Sequence, residues 1–190
     1  MRYPKEHKEQ ARRRLVEGGA RLAKKRGFAG AGVDDLAAAA GVTSGSVYKN
    51  FGGKSELLAA IIEAELGRSA ARFAAVPVGK RAKLDRALAA YLSPQHVGHP
   101  ELGCALPSLA ADVARADSEV KAAFEDGLLA VHAAVKRHTQ SDDAAWALIA
   151  QSVGAVALAR AMQDEVLQQK LLRSVKRSAR ALAGGLVSRD

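Results

Sequence analysis

Cysteine is almost missing from this chain, and the one present, Cys104, excludes an intrachain disulfide. Aromatic residues are scarce at 4% of the sequence, and the 48% hydrophobic share is dominated by alanine and leucine, which favours helices over sheets. Long apolar runs are missing too. Stretches such as VGAVALARAM (residues 153–162) are cut by charge well short of the roughly 18 residues that a membrane span needs. The first ten residues, MRYPKEHKEQ, are charged throughout and hold no apolar core of a secretory signal. These absences together predict a cytoplasmic protein with no membrane partner. The 190 residues suffice to bury a core without disulfides or metal. The sequence shows no internal repeat and no low-complexity tail. It also has no G-x-S-x-G, no H-E-x-x-H and no pair of carboxylates framed by a histidine, so it points to no catalytic residues and no cofactor.

What is present is positive charge, unevenly placed. The net charge is +9, and residues 1–54 carry 12 Lys/Arg against 5 Asp/Glu, net +7, while the other 136 residues are close to balance. A concentrated positive field is the footprint of a polyanion partner, because neutralising phosphates releases condensed counterions. A solvated basic face would carry the same charge.

The first third punctuates itself. Apolar or small residues recur at helical spacing at Ala11, Leu15, Gly19, Leu22 and Ala23, and Gly27 is placed to end that helix. A short helix is predicted from Val33 to Ala40, with Asp34 and Asp35 in its first turn, and Gly41 stops it. Thr43 or Ser44 caps a third helix through Phe51, and Gly52-Gly53 break the chain before a fourth that starts near Lys54. Helix, glycine turn, helix is a helix-turn-helix unit. Amphipathic segments follow at about 56–74, 80–93, 103–115, 118–138, 142–162 and 165–183, with breaks that include residues 93–103. The prediction is an all-α chain of about nine helices.

Two glycine motifs suggest nucleotide binding and fail on inspection. In YKNFGGKSELL (residues 48–58) the Gly-Lys-Ser matches only the tail of a phosphate loop: Tyr48 stands where the first glycine should be, and no strand precedes it. GFAGAG (residues 27–32) follows a charged helix and has the wrong spacing for a dinucleotide fingerprint.

The run GVDDLAAAAGVTSGSVYKNFGGKSELLAAII (residues 32–62) resembles the DNA-binding domain of the TetR/AcrR family of bacterial transcriptional regulators. The resemblance rests on Leu36-Ala37, Ala40-Gly41-Val42, the Ser/Thr-rich start of the third helix, Tyr48, Phe51, and Lys54 followed by Glu56-Leu57-Leu58. It implies a helix-turn-helix DNA-binding domain over residues 1–54 and a helical effector-binding and dimerisation domain over residues 55–190. It implies contacts to double-stranded DNA from Thr43, Ser44, Gly45, Ser46, Tyr48, Lys49, Asn50 and Lys54, with Tyr48 and Lys54 on phosphates and Phe51 in the core. Short polar side chains at the start of a recognition helix suit that role, because they let base edges come close. The glycine-lysine pair is then a phosphate contact, but the phosphate belongs to DNA. Gly32 stands where the family carries a capping hydroxyl, and Asn50 where a histidine is common.

For the remainder, the resemblance implies a homodimer that responds to an unidentified small-molecule effector. Segment 142–162 is apolar or small on more than one face, which suits dimerisation through it and segment 165–183, with Trp146, Val153, Gly154, Ala157 and Leu171 in the interface. Phe73, Tyr91, Leu106, Leu109, Phe124, Leu128 and Trp146 are candidate effector contacts, or plain core. Cys104 is a further candidate in that set. His96, His99 and Cys104 lack a clear fourth ligand, so no metal is predicted. The leading expectation is a ligand-responsive repressor on a palindromic operator; the alternatives are an activator, a thiol-responsive sensor using Cys104, a non-specific DNA protein and, from another class, a nucleotide-binding protein.

Overall fold

The computed structural model describes residues 5–183, the side chains from residue 7 onward. Among them there is no strand. Ten α-helices run α1 Lys5–Arg26, α2 Val33–Ala39, α3 Ser44–Asn50, α4 Lys54–Ala74, α5 Arg81–Tyr91, α6 Pro94–Gly98, α7 Leu106–Ala114, α8 Ser118–Lys136, α9 Asp142–Arg160 and α10 Glu165–Ala183, with a 3-10 turn at Pro100–Leu102 before α7. No described helix is long and apolar enough to cross a membrane. The chain divides into two compact units, one formed by residues through Leu66 together with Pro100–Gly127, the other by Gly67–His99 together with Leu128 onward.

The first unit is built on α1. Its apolar stripe buries Leu15, Ala20 and Ala23, and Leu36, Val47, Phe51, Leu57, Ile61, Ile62 and Leu66 close the core around it, none more than 1% exposed. Gly27 (φ +80°) and Gly41 (φ +65°) take the left-handed conformation that ends a helix cheaply only at glycine. Gly18 does different work. A Cβ there would lie 2.5 Å from the Ala39 carbonyl oxygen and 2.8 Å from the Ala40 Cα, so α2 can cross α1 this closely only over a bare backbone. Gly127 on α8 plays the same part against Leu66 of α4, whose Cβ would be 2.7 Å from an added methyl.

The segment 93–103, expected as a break, contains α6 and the 3-10 turn. The Ser93 hydroxyl accepts from the His96 N–H at 3.2 Å and Pro94 fills the first helical position, which starts a helix that lasts only five residues. The next helix begins at Leu106 rather than at Gly103, with Pro107 in its first turn. Cys104, inside the segment 103–115 expected to be helical, therefore precedes the helix.

In the second unit α10 packs along α9 and also meets α5, while α6 packs on α9. The buried side chains include Leu84, Leu88, Val97, Leu148, Val156 and Leu172. Polar ties reinforce these pairs. Arg160 at the end of α9 donates to the carbonyls of His96 (3.0 Å) and Val97 (3.3 Å), Arg81 donates to the Arg180 carbonyl (2.7 Å), and Ser178 donates to the Gln151 side chain (2.8 Å).

Candidate nucleic-acid interface

The turn between α2 and α3 is closed by backbone bonds from the Gly41 N–H to the Ala38 carbonyl and from the Val42 N–H to the Ala37 carbonyl, both 3.0 Å. It sends out a two-turn helix that buries only Val47 of its own residues and then Phe51 just beyond. The other residues of α3 are exposed or half-buried. Thr43, Gly45, Tyr48 and Lys49 are exposed, Tyr48 at 62%, and Ser44, Ser46 and Asn50 are half-buried. The run from Thr43 to Asn50 thus forms one short helix and its N-cap.

Several of these side chains already have intramolecular partners. The Ser44 hydroxyl donates to the Asp34 carboxylate, which ties the start of α3 to the start of α2. Thr43, in the N-cap position, makes no side-chain cap bond; its hydroxyl meets that of Ser46 at 3.3 Å. The Asn50 amide donates back to the Ser46 carbonyl at 2.7 Å. Lys54 points its ammonium at the α1–α2 loop, donating to the Ala29 carbonyl at 3.1 Å and lying 5.1 Å from the Phe28 ring centroid. An ammonium has three donors, so two remain for another acceptor. The Gly52 N–H is taken by the Glu56 carboxylate. At Gly32, where a capping hydroxyl is missing, the Asp35 carboxylate reaches back to accept from the Gly32 N–H at 2.9 Å and supplies half of a capping box.

Residues outside the predicted site hold it in place. Arg12 of α1 donates to the Asn50 carbonyl at 2.8 Å and lays its guanidinium over the Phe51 ring, 4.2 Å from the centroid. The Asp112 carboxylate of α7 accepts from the N–H groups of Phe28 and Ala29, each at 3.2 Å. Lys24 of α1 and Glu65 of α4 form a buried ion pair at 2.9 Å, and the same ammonium donates to the Gly103 carbonyl at 2.9 Å. The Ser55 hydroxyl donates to the Asp117 carboxylate. That bond, helped by the Val120 and Glu119 N–H groups and by Lys121, holds Asp117 below the usual carboxylate range against a smaller opposing effect of desolvation. Nothing in the local sequence announces these ties, since their partners stand 38 to 84 residues apart.

The remaining predicted residues divide between the two units. Cys104, Leu106 and Leu109 are buried and Phe124 is half-buried in the first, while Phe73, Tyr91, Leu128 and Trp146 are half-buried in the second. Trp146 stacks on His132, ring centroids 4.1 Å apart and planes 16° from parallel. Tyr91 meets His96 edge-on at 4.6 Å. Among the described residues no three His, Cys, Asp or Glu side chains converge on a point that could hold a metal ion. On α9 and α10, Val153, Gly154, Ala157 and Leu171 are half-buried and lie among exposed apolar or small residues: Ala147, Ala150, Leu158 (57%), Val166 (73%) and Leu167 (48%). A Cβ on Gly154 would meet nothing within 4 Å.

Residues 15–61 match the family model of the bacterial regulatory proteins of the tetR family. Among solved structures the chain is similar to NemR of Escherichia coli in its reduced form, at 21% identity and a TM-score of 0.72 over 94% of this chain and 99% of that one. It is similar to a TetR-family transcriptional regulator of Cytophaga hutchinsonii at 18% identity and a TM-score of 0.72, over 94% of this chain and 97% of that one. It is also similar to FadR, the fatty acid degradation regulator of Bacillus halodurans, at 16% identity and a TM-score of 0.66, again over 94% and 97%. No curated protein sequence matches the chain.

Proposed function

Because the chain belongs, through its N-terminal helix-turn-helix, to the TetR/AcrR family of transcriptional regulators, we propose that it is a homodimeric repressor that reads a palindromic operator and leaves it when a small molecule binds. The observation that carries the DNA-reading part is α3: a two-turn helix with one buried side chain, short polar residues at its start, and Tyr48 and Lys49 exposed on it. The surrounding +7 charge of residues 1–54 supplies the non-specific attraction. Residues 1–54 act as the reading head and residues 55–190 as the effector and dimerisation part.

Dimerisation draws its support from the exposed small and apolar residues along α9 and α10. Ala147, Ala150 and Leu158 are exposed and Gly154 and Ala157 half-buried between them, at three- and four-residue spacings that put a small and apolar face on one side of α9. A second copy packed there would cover them and set two reading heads a fixed distance apart, as a palindrome requires.

Effector response has its support in the ties of the first unit. Asp112, Gly103 and Asp117 bind residues 103–117 to the α1–α2 loop, to α1 and to the start of α4. A ligand that shifts those residues moves the reading head with them, and the effector works by favouring the shifted state.

Selection of fragments from the organism's own genomic DNA tests the reading. One recurring palindrome, bound by two subunits and released by a compound whose genes lie nearby, is the expected result. Recovery of fragments with no common sequence would replace the repressor with a non-specific DNA protein.

A further inference from the structure

The recognition helix is anchored in its middle by Val47 and tied at its two ends by polar contacts. Seven residues make a helix too short to persist alone, and α3 buries only Val47 of its own. Its start is tied by the Ser44–Asp34 hydrogen bond. Its end is closed in part by the Phe51 N–H, which donates to the Val47 carbonyl at 2.7 Å, and in part by a residue from another helix. Arg12 donates Nη1–H to the Asn50 carbonyl at 2.8 Å while its guanidinium carbon lies over the Phe51 ring, 4.2 Å from the centroid.

The chemistry of this contact is specific to arginine. A guanidinium is flat, so it can stack on a ring with its face and hydrogen-bond through its edge at the same time; an ammonium offers a point charge and does one or the other. A cation at the carbonyl end of a helix is favoured by the helix dipole. Phe51 is 1% exposed and cannot move without disturbing the core, so its ring is a fixed reference on which the Arg12 guanidinium, and with it the last turn of α3, is set. Tyr48 and Lys49 stand in that turn.

We propose that Arg12 is a positioning residue for the recognition helix: by bonding the Asn50 carbonyl and stacking on Phe51 it fixes the angle at which α3 is presented, so that discrimination between DNA sequences depends on it more than DNA affinity does. This rests on the DNA-reading role proposed above. The competing role for an exposed arginine in a basic head is a direct phosphate contact, and the two roles leave different traces. A phosphate contact contributes to all sequences alike and adds about one to the slope of log affinity against log salt. A positioning contact leaves that slope alone.

The test uses the full chain, the operator recovered from genomic selection and a scrambled duplex of equal length, with fluorescence anisotropy read at several salt concentrations for the wild type, Arg12→Lys and Arg12→Gln. Arg12→Lys is expected to lower the ratio of operator to scrambled affinity by about five- to tenfold, as for a lost charged hydrogen bond and ring contact, with an unchanged salt slope. Amide hydrogen exchange in the free protein supplies a reading independent of DNA: the amides from Val47 to Phe51 should exchange severalfold faster in Arg12→Lys, while those from Leu57 to Leu66 in α4 stay at the wild-type rate. Equal discrimination by Arg12→Lys and the wild type overturns the role, and so does unchanged exchange in α3. A fall in affinity for both duplexes alike in Arg12→Gln, with a slope lower by about one, makes Arg12 a phosphate contact instead. A wild type that binds both duplexes equally removes the DNA-reading role and this inference with it, whereas a discriminating wild type matched by its Arg12→Lys variant removes the inference alone.

Discussion

Replacing Lys24 by methionine should cost this protein about 3–5 kcal/mol, the usual consequence of stranding one partner of a buried ion pair. Lys24 and Glu65 meet at 2.9 Å with both side chains only 5% exposed, and the Lys24 ammonium also donates to the Gly103 carbonyl at 2.9 Å. Lys24→Met takes the ammonium away from the Glu65 carboxylate in a place water hardly reaches, and leaves the Gly103 carbonyl short of one donor. Methionine and lysine have nearly equal helix propensity, so α1 itself contributes little to the change. Against a total stability of about 5–15 kcal/mol, the loss is about a fifth or more. Glu65→Leu strands the ammonium instead and should cost a similar amount.

The double variant separates the ion pair from its surroundings. Lys24→Met with Glu65→Leu removes both charges and leaves the Gly103 carbonyl with a missing bond, worth about 1–3 kcal/mol. The double variant should therefore be more stable than either single one, with a coupling energy of at least about 3 kcal/mol in the cycle. Urea unfolding followed by far-ultraviolet circular dichroism measures all four proteins. A double variant destabilised by the sum of the two singles would refute the reasoning, as would a cost below about 1 kcal/mol for Lys24→Met, the range of a surface pair.

Gly154→Glu puts a charge on the small and apolar face of α9 at a position where an added Cβ meets nothing within 4 Å; it should fold normally and sediment as a monomer at micromolar concentration, and a wild type that is itself monomeric ends the dimer proposal. Gly18→Ala should lower stability by about 1–3 kcal/mol in thermal unfolding although alanine is the better helix former, because its methyl would press on the backbone of Ala39 and Ala40; a raised melting temperature refutes this. Tyr48→Phe removes only an exposed phenol oxygen and should weaken binding to operator and scrambled DNA equally, so a change in their ratio would contradict a phosphate contact. Asp117 is held below the usual carboxylate range chiefly by the Ser55 hydroxyl; its stabilising contribution is complete above the unfolded carboxyl's range and is lost as the pH falls through the depressed folded value. Ser55→Ala should move the Asp117 titration upward by NMR, and an unmoved titration assigns the depression elsewhere.

The parts of the fold that could be read from the sequence are those whose signals are local. Gly27 and Gly41 end helices where glycine was needed, and the periodic segments became helices with ends shifted by a few residues. A five-residue helix such as α6 has too few turns to show a period, so the stretch from Ser93 to Gly103 read as a loop. Gly18 and Gly19 stand side by side in the sequence, and periodicity placed Gly19 on the apolar stripe; only the crossing of α2 over α1 reveals that Gly18 is the position that tolerates no side chain. In the candidate interface, the run of residues on α3 was legible because it is contiguous. The partners of that run were not: Arg12 lies 38 residues before Asn50, and Asp112 lies 84 after Phe28.

Lys54 and Asp112 show why such partners matter to the proposed function. They hold the same loop by opposite groups, Lys54 by the Ala29 carbonyl and Asp112 by the Phe28 and Ala29 N–H groups. A lysine that met a DNA phosphate with one of its two remaining donors would keep its hold on the loop, so DNA bound at the head and α7 bound at Asp112 would bear on one pair of peptide groups. Under that reading a movement of α7 need not travel through the core to reach the DNA contact. It reaches Lys54 across a single residue, and Asp112→Asn, which keeps the shape but weakens the acceptor, is the change that would slacken the link while leaving the recognition helix intact.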